Sequence, residues 1–205
     1  MSFREEGINL PNALTLLRIF LVPVLVAAIL AVFEGRQWVC AGVFLVAALT
    51  DALDGFIARR RGQVTTLGRL LDPLADKLLI CGALVSLVEV RLAPGWMVVV
   101  ILAREFAITG LRGIAAERGV TISARPWGKV KMLIQVCCIV ALLLSHSPQP
   151  DKFEQLMRWV GQLLLWGTVV VSAVSGMDYL FEFRRVFTDD PSSGSGSPMA
   201  DGEAA

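Results

Sequence analysis

Four aspartates stand inside 26 residues of a strongly apolar chain: Asp51 and Asp54, then Asp72 and Asp76. Acids three apart share one helical face, and Gly55 and Ala58 prolong that stripe at offsets of four and seven from Asp51. Gly68, Asp72 and Asp76 recur every four residues, so a second helix carries a small residue and then two acids on one side. Two antiparallel neighbours could gather all four carboxylates. An ionised carboxylate at membrane depth costs at least about 2.5–3.5 kcal/mol, so cations must stand among them. Lys77 and Arg59 could neutralise part of the charge, but four oxygen donors on two stripes match hard divalent ions, Mg²⁺ or Mn²⁺. Two such ions can clamp the attacking and leaving oxygens of a phosphoryl transfer. The plainer alternatives are interhelical salt bridges for the acids and close helix packing for Gly55 and Gly68.

The elements that must hold these residues are legible from hydropathy. The chain has 205 residues, 55% of them hydrophobic, and a mean hydropathy of +0.65. Apolar runs predict an all-α, polytopic membrane protein with six transmembrane helices in one bundle, at 12–32, 38–59, 68–90, 94–117, 127–146 and 153–183. Residues 1–187 read as a single membrane domain, and the small, polar, acidic stretch 188–205 as a disordered tail. Short connections make successive helices antiparallel. Arg59, Arg60, Arg61 and Arg69 gather at one connection, Arg118, Arg125, Lys129 and Lys131 at another, and Arg184 and Arg185 follow the last helix. The opposite ends hold only Arg36, Arg91, Lys152 and Arg158, so both termini and the aspartates are expected on the cytoplasmic side. The twelve apolar residues before Thr50 span about 18 Å of a core about 30 Å thick, which sets Asp51 and Asp54 in its cytoplasmic half.

Several function classes lose support. A net charge of +1 gives no reason to expect a nucleic-acid partner, and Cys40, Cys81, Cys137 and Cys138 lie in apolar runs without the spacing of a zinc site. The acidic, proline-containing N-terminus is unlike a cleaved signal. No internal repeat suggests an inverted-repeat transporter. A divalent-cation transporter would still need polar residues reaching both membrane faces, and the outer halves of these helices are nearly all apolar. Aspartate-rich prenyl-chain synthases cluster their acids more densely.

Asp51, Asp54, Gly55, Ala58, Arg59, Gly68, Asp72 and Asp76 match without departure the signature D-x2-D-G-x2-A-R-x8-G-x3-D-x3-D. In this the chain resembles the CDP-alcohol phosphotransferase family. The resemblance implies a six-helix membrane enzyme, often a homodimer, using two divalent ions, Mg²⁺ or Mn²⁺. Asp51, Asp54, Asp72 and Asp76 would be the metal ligands and Asp76 also the general base. Asp54, Gly55, Ala58, Arg59, Thr65 and Gly68 would border the cytidine diphosphate of CDP-diacylglycerol. The physical reading agrees, because a guanidinium binds phosphate bidentately and glycine permits close approach.

The stretches NLPNALTLLRIFLVP, AREFAITGLRGIAAERGV and WGKVKM are similar to those of family members whose acceptor is glycerol 3-phosphate, with one departure at Met132. The expected products are phosphatidylglycerophosphate and CMP. Cations support this acceptor independently: Arg104 and Arg112 lie eight apart on one helix and Lys129 and Lys131 open the next, a basic set suited to a phosphate of about two negative charges. Topology and anionic headgroups are the alternative use of these cations. Other acceptors within the family, such as phosphatidylglycerol, inositol phosphate or serine, remain open. Glu105, directly after Arg104, points about 100° away and reads as a structural partner, and His146 at an outer helix end as non-catalytic.

Overall fold

The computed structural model describes the backbone at 10–61, 66–117 and 127–188, and side chains at 13, 15–50, 75, 77–115 and 130–177. The described residues form six α-helices and no strand: α1 (Leu10–Leu30), α2 (Arg36–Arg61), α3 (Thr66–Glu89), α4 (Gly95–Glu117), α5 (Trp127–Leu144) and α6 (Lys152–Thr188). These bounds fall within a few residues of the hydropathy reading, save that α6 runs on past Phe183 to Thr188. Residues 189–205, where the tail was expected, lie outside the described residues.

Each terminal helix is the centre of a group of three. Helix α1 packs on α2 and α3, α6 packs on α4 and α5, and the pairs α2–α5 and α3–α4 join the two groups. One core runs through both, built from Leu25, Ile29, Phe44, Leu79, Leu87, Met97, Ile101, Ile139, Leu142 and Leu165. Two glycines set the closest approaches. A Cβ on Gly82 would stand 2.9 Å from Val22 of α1, and one on Gly161 would stand 2.6 Å and 2.8 Å from Leu142 atoms of α5. Small residues of this kind let helices associate where lipid removes the hydrophobic drive.

The ends carrying the connections 31–35, 90–94 and 145–151 are tied together. Arg36 Nε donates to His146 O at 2.9 Å, the His146 ring bonds Ile29 O at 2.9 Å, and Gln37 Nε2 donates to Glu154 Oε1 at 3.3 Å. Trp38 stacks on Phe153, and Gln162 Nε2 donates to Leu92 O at 2.6 Å. Helix α3 ends in a Schellman motif, with Leu92 N–H on Leu87 O, Arg91 N–H on Val88 O and Arg91 in the left-handed region at φ 59°. Helix α6 opens with a capping box: Asp151 Oδ1 accepts from Phe153 and Glu154 N–H, and Glu154 Oε2 accepts from Asp151 N–H. His146 is thus buried as a bridge between α1 and α2, consistent with a structural residue.

Large apolar side chains are exposed on every helix, among them Phe20, Val46, Val85, Phe106, Leu133 and Leu163. By length and composition one described helix segment, Lys152–Met177, is long and apolar enough to cross a membrane, and Thr15–Leu30, Arg36–Thr50 and Val130–Leu144 are shorter apolar segments.

Candidate active site

The aspartates fall on the two helices that α1 brackets. Asp51, Asp54, Gly55, Ala58 and Arg59 lie on α2, and Gly68, Asp72 and Asp76 on α3, while Thr65 and the side chains of all eight lie outside the described residues. Register says more. Cys40, Phe44 and Ala47 are buried at helical spacing on α2, and positions 51, 54 and 58 continue that spacing. Leu79 and Ala83 are buried on α3, and positions 72 and 76 precede them by seven and three residues on the same face. Helices α2 and α3 touch each other as well as α1. The α1 side facing them carries Thr15 and Arg18; Arg18, with 0% exposure, is the largest fully buried side chain of the described residues. The buried Arg18 and the four aspartate positions thus lie on three mutually packed helices.

The basic residues of α4 and α5 meet at a second place. Lys131, only 3% exposed, donates from Nζ to Glu105 Oε1. Arg104, 13% exposed, donates from one terminal nitrogen to the same oxygen at 3.2 Å and from the other to Ser175 Oγ of α6. Cations from α4 and α5 thus converge on one carboxylate, itself 25% exposed, and α6 joins them through Ser175 on Arg104. Lys77 of α3, next in sequence to Asp76, lies within electrostatic range of both Glu105 and Lys131. The cluster therefore adjoins the helix that carries Asp72 and Asp76. Arg104 Nε is buried and meets no acceptor among the described residues, and Ser172 Oγ, one turn before Ser175 and Gly176, is likewise buried without a partner there.

The structure brings Arg104 and Lys131 together and leaves Arg112 exposed two turns further along α4. The side chain of Lys129 is outside the described residues. Glu105 pairs with cations, as expected of a structural partner, but one of them is Arg104 itself, which its offset was expected to turn it away from. Met132 is half exposed on α5, so the one departure in WGKVKM sits on an outer surface. Ser175 had no sequence signal, since serine within SAVSG reads as ordinary small-residue packing.

The family model for CDP-alcohol phosphatidyltransferase matches residues 8–174. The chain is 44% identical over 183 residues to a Bacillus subtilis protein named CDP-diacylglycerol--glycerol-3-phosphate 3-phosphatidyltransferase, covering 83% of this chain and 93% of that one. A Rickettsia felis protein of the same name is 32% identical over 87% of this chain and 97% of its own length. A Mycobacterium tuberculosis protein named probable phosphatidylglycerophosphate synthase is 35% identical, over 89% of this chain and 85% of its own. Similarity that extends from α1 into α6, far beyond the aspartate segment on both sides, makes this chain a member of the CDP-alcohol phosphatidyltransferase family.

Proposed function

We propose that the chain transfers the phosphatidyl group of CDP-diacylglycerol to sn-glycerol 3-phosphate, giving phosphatidylglycerophosphate and CMP. The observation that carries this choice of acceptor is the buried convergence of Arg104 and Lys131 beside Lys77, next to the helix of Asp72 and Asp76. Cations drawn into an apolar interior call for an anion, and a phosphate monoester meets that need where serine or another acceptor without a phosphate does not. The names of the relatives agree with it.

In this reading all six helices cross the membrane, with the exposed apolar side chains toward lipid and Trp38, Trp96 and Trp159 near its outer surface. Both termini and the site face the cytoplasm of a bacterial cell membrane, and the chain works as a homodimer. Lipid tails stay in the bilayer while the polar acceptor enters from the cytoplasm.

Asp51, Asp54, Asp72 and Asp76 would hold two divalent ions, Mg²⁺ or Mn²⁺, which when bound neutralise diphosphate charge and steady the reacting oxygens. Asp54, Gly55, Ala58 and Gly68 border the nucleotide with Thr65, and Arg59 meets its phosphates. Arg104 and Lys131, with Arg112 and Lys129 toward the cytoplasmic ends, orient glycerol 3-phosphate by its phosphate. Asp76 takes the proton of the C1 hydroxyl, the oxygen attacks the phosphorus bearing diacylglycerol, and the bond to CMP breaks in line. The test is CMP release from CDP-diacylglycerol by purified protein with glycerol 3-phosphate, phosphatidylglycerol, inositol phosphate and serine in parallel. Faster release with any of the last three would replace the proposed acceptor.

A further inference from the structure

Arg104 and Lys131 address one atom, Glu105 Oε1, from two different helices. Among the described residues the other groups at this cluster are cationic or neutral: Lys77 of α3, within electrostatic range of Glu105, and Ser175 of α6, which accepts from Arg104. Among the described residues, three cations, Arg104, Lys131 and Lys77, less one carboxylate leave two positive charges, the magnitude carried by a phosphate monoester dianion. Buried donors need an acceptor whether or not substrate is present. In the structure that acceptor is Glu105, so an incoming phosphate must share donors already engaged. Arg104 Nε, buried and unengaged among the described residues, is one donor still free for it.

We propose that Glu105 is a resident counter-anion of the acceptor pocket, a positioning residue that keeps Arg104 and Lys131 on one atom when the pocket is empty and loosens their hold on the phosphate monoester. This rests on the reading of Arg104 and Lys131 as the acceptor's phosphate ligands. The loosening matters because the product keeps that phosphate. A pocket with one more net positive charge holds substrate and product alike more tightly, and product release slows.

Glu105→Gln separates charge from shape, since the amide oxygen still accepts from both cations. The expected result is a KM for glycerol 3-phosphate lower by roughly tenfold, and inorganic phosphate a roughly tenfold stronger inhibitor competitive with it. The KM for CDP-diacylglycerol stays unchanged and kcat falls. A merely structural role would move both KM values or neither. A KM for glycerol 3-phosphate that stays or rises overturns the proposal. If Glu105→Gln does not fold, Lys131→Gln is compared with the double variant Glu105→Gln, Lys131→Gln, which leaves no lone charge from this pair. There the second substitution must lower the KM that the first raised, and failure to do so overturns the proposal. If instead Arg104→Gln and Lys131→Gln both leave the KM for glycerol 3-phosphate unchanged, the acceptor-pocket reading itself falls. If they raise it while Glu105→Gln has no effect, only the role of Glu105 falls.

Discussion

Replacing Lys131 with glutamine tests the acceptor pocket where burial makes the outcome sharpest. Lys131 is 3% exposed and donates to Glu105. Breaking a fully buried pair costs about 3–5 kcal/mol. Here the loss is smaller: Glu105 is 25% exposed, keeps Arg104 at 3.2 Å, and can accept from the new amide. About 1–2 kcal/mol of stability is the expected cost, and the protein stays folded. The functional cost comes from exchanging a charge-assisted bond to phosphate, about 1.5–3 kcal/mol, for a neutral one of about 0.5–1.5 kcal/mol. The difference, about 1–1.5 kcal/mol, corresponds to a rise of about tenfold in the KM for glycerol 3-phosphate. CMP release is measured in detergent micelles at saturating CDP-diacylglycerol with glycerol 3-phosphate varied, then with the two reversed. A KM for glycerol 3-phosphate equal to that of the unaltered protein, or equal increases for both substrates, refutes the assignment and returns Lys131 to a packing role.

Asp76→Asn is expected to abolish transfer while CDP-diacylglycerol still binds, and near-normal turnover would remove Asp76 as the base. Chelation with EDTA should stop CMP release and added Mg²⁺ or Mn²⁺ restore it; turnover persisting in chelator would count against metal ligation by the aspartates. Gly161→Ala places a Cβ against Leu142, its backbone nitrogen at 3.2 Å included, and should cost about 1–3 kcal/mol of stability in a thermal melt. Gly42→Ala, where nothing lies within 4 Å, is the control and should melt at nearly the original temperature. Burial pushes the His146 imidazole below its ordinary value, with Arg36 and Arg158 adding to the shift and the Ile29 carbonyl opposing it. The stability this neutral ring contributes is complete above about pH 6.5 and is lost as pH falls through the lower folded value, because the unfolded chain binds the proton first. His146→Gln should flatten that acid slope of the melting temperature, and an unaltered slope would exclude His146 as its source.

The sequence was most readable where polar residues interrupt apolar runs. Asp51, Asp54, Asp72 and Asp76 suggested stripes by spacing alone, and their positions share helical register with the buried Ala47 and Leu79. Glu105 was readable as a structural partner, although its offset did not keep it from Arg104, whose guanidinium reaches its carboxylate at 3.2 Å. Packing partners were not. In helices apolar on nearly every side, periodicity does not separate a lipid-facing leucine from a core leucine, so nothing announced that α1 sits between α2 and α3 or that α6 serves α4 and α5. Arg18 shows the difference. As a letter it was a lone cation on an apolar helix, and only the placement of α1 makes it the largest buried side chain described. Ser175 became meaningful in the same way, once α6 was found against Arg104.

The bonded end of the bundle, from Arg36 and His146 to Gln162 and Leu92, is also where a pivot would sit. From the start of α4 at Gly95 to Arg104 is nine residues, a lever of about 14 Å. With that end held, a tilt of about 4° would open the junction at Arg104 by about 1 Å, and the gap would widen steadily toward the far end of α4. Like tongs, such a bundle can part its jaws around a small anion while its hinge, and the apolar barrier behind it, stays shut.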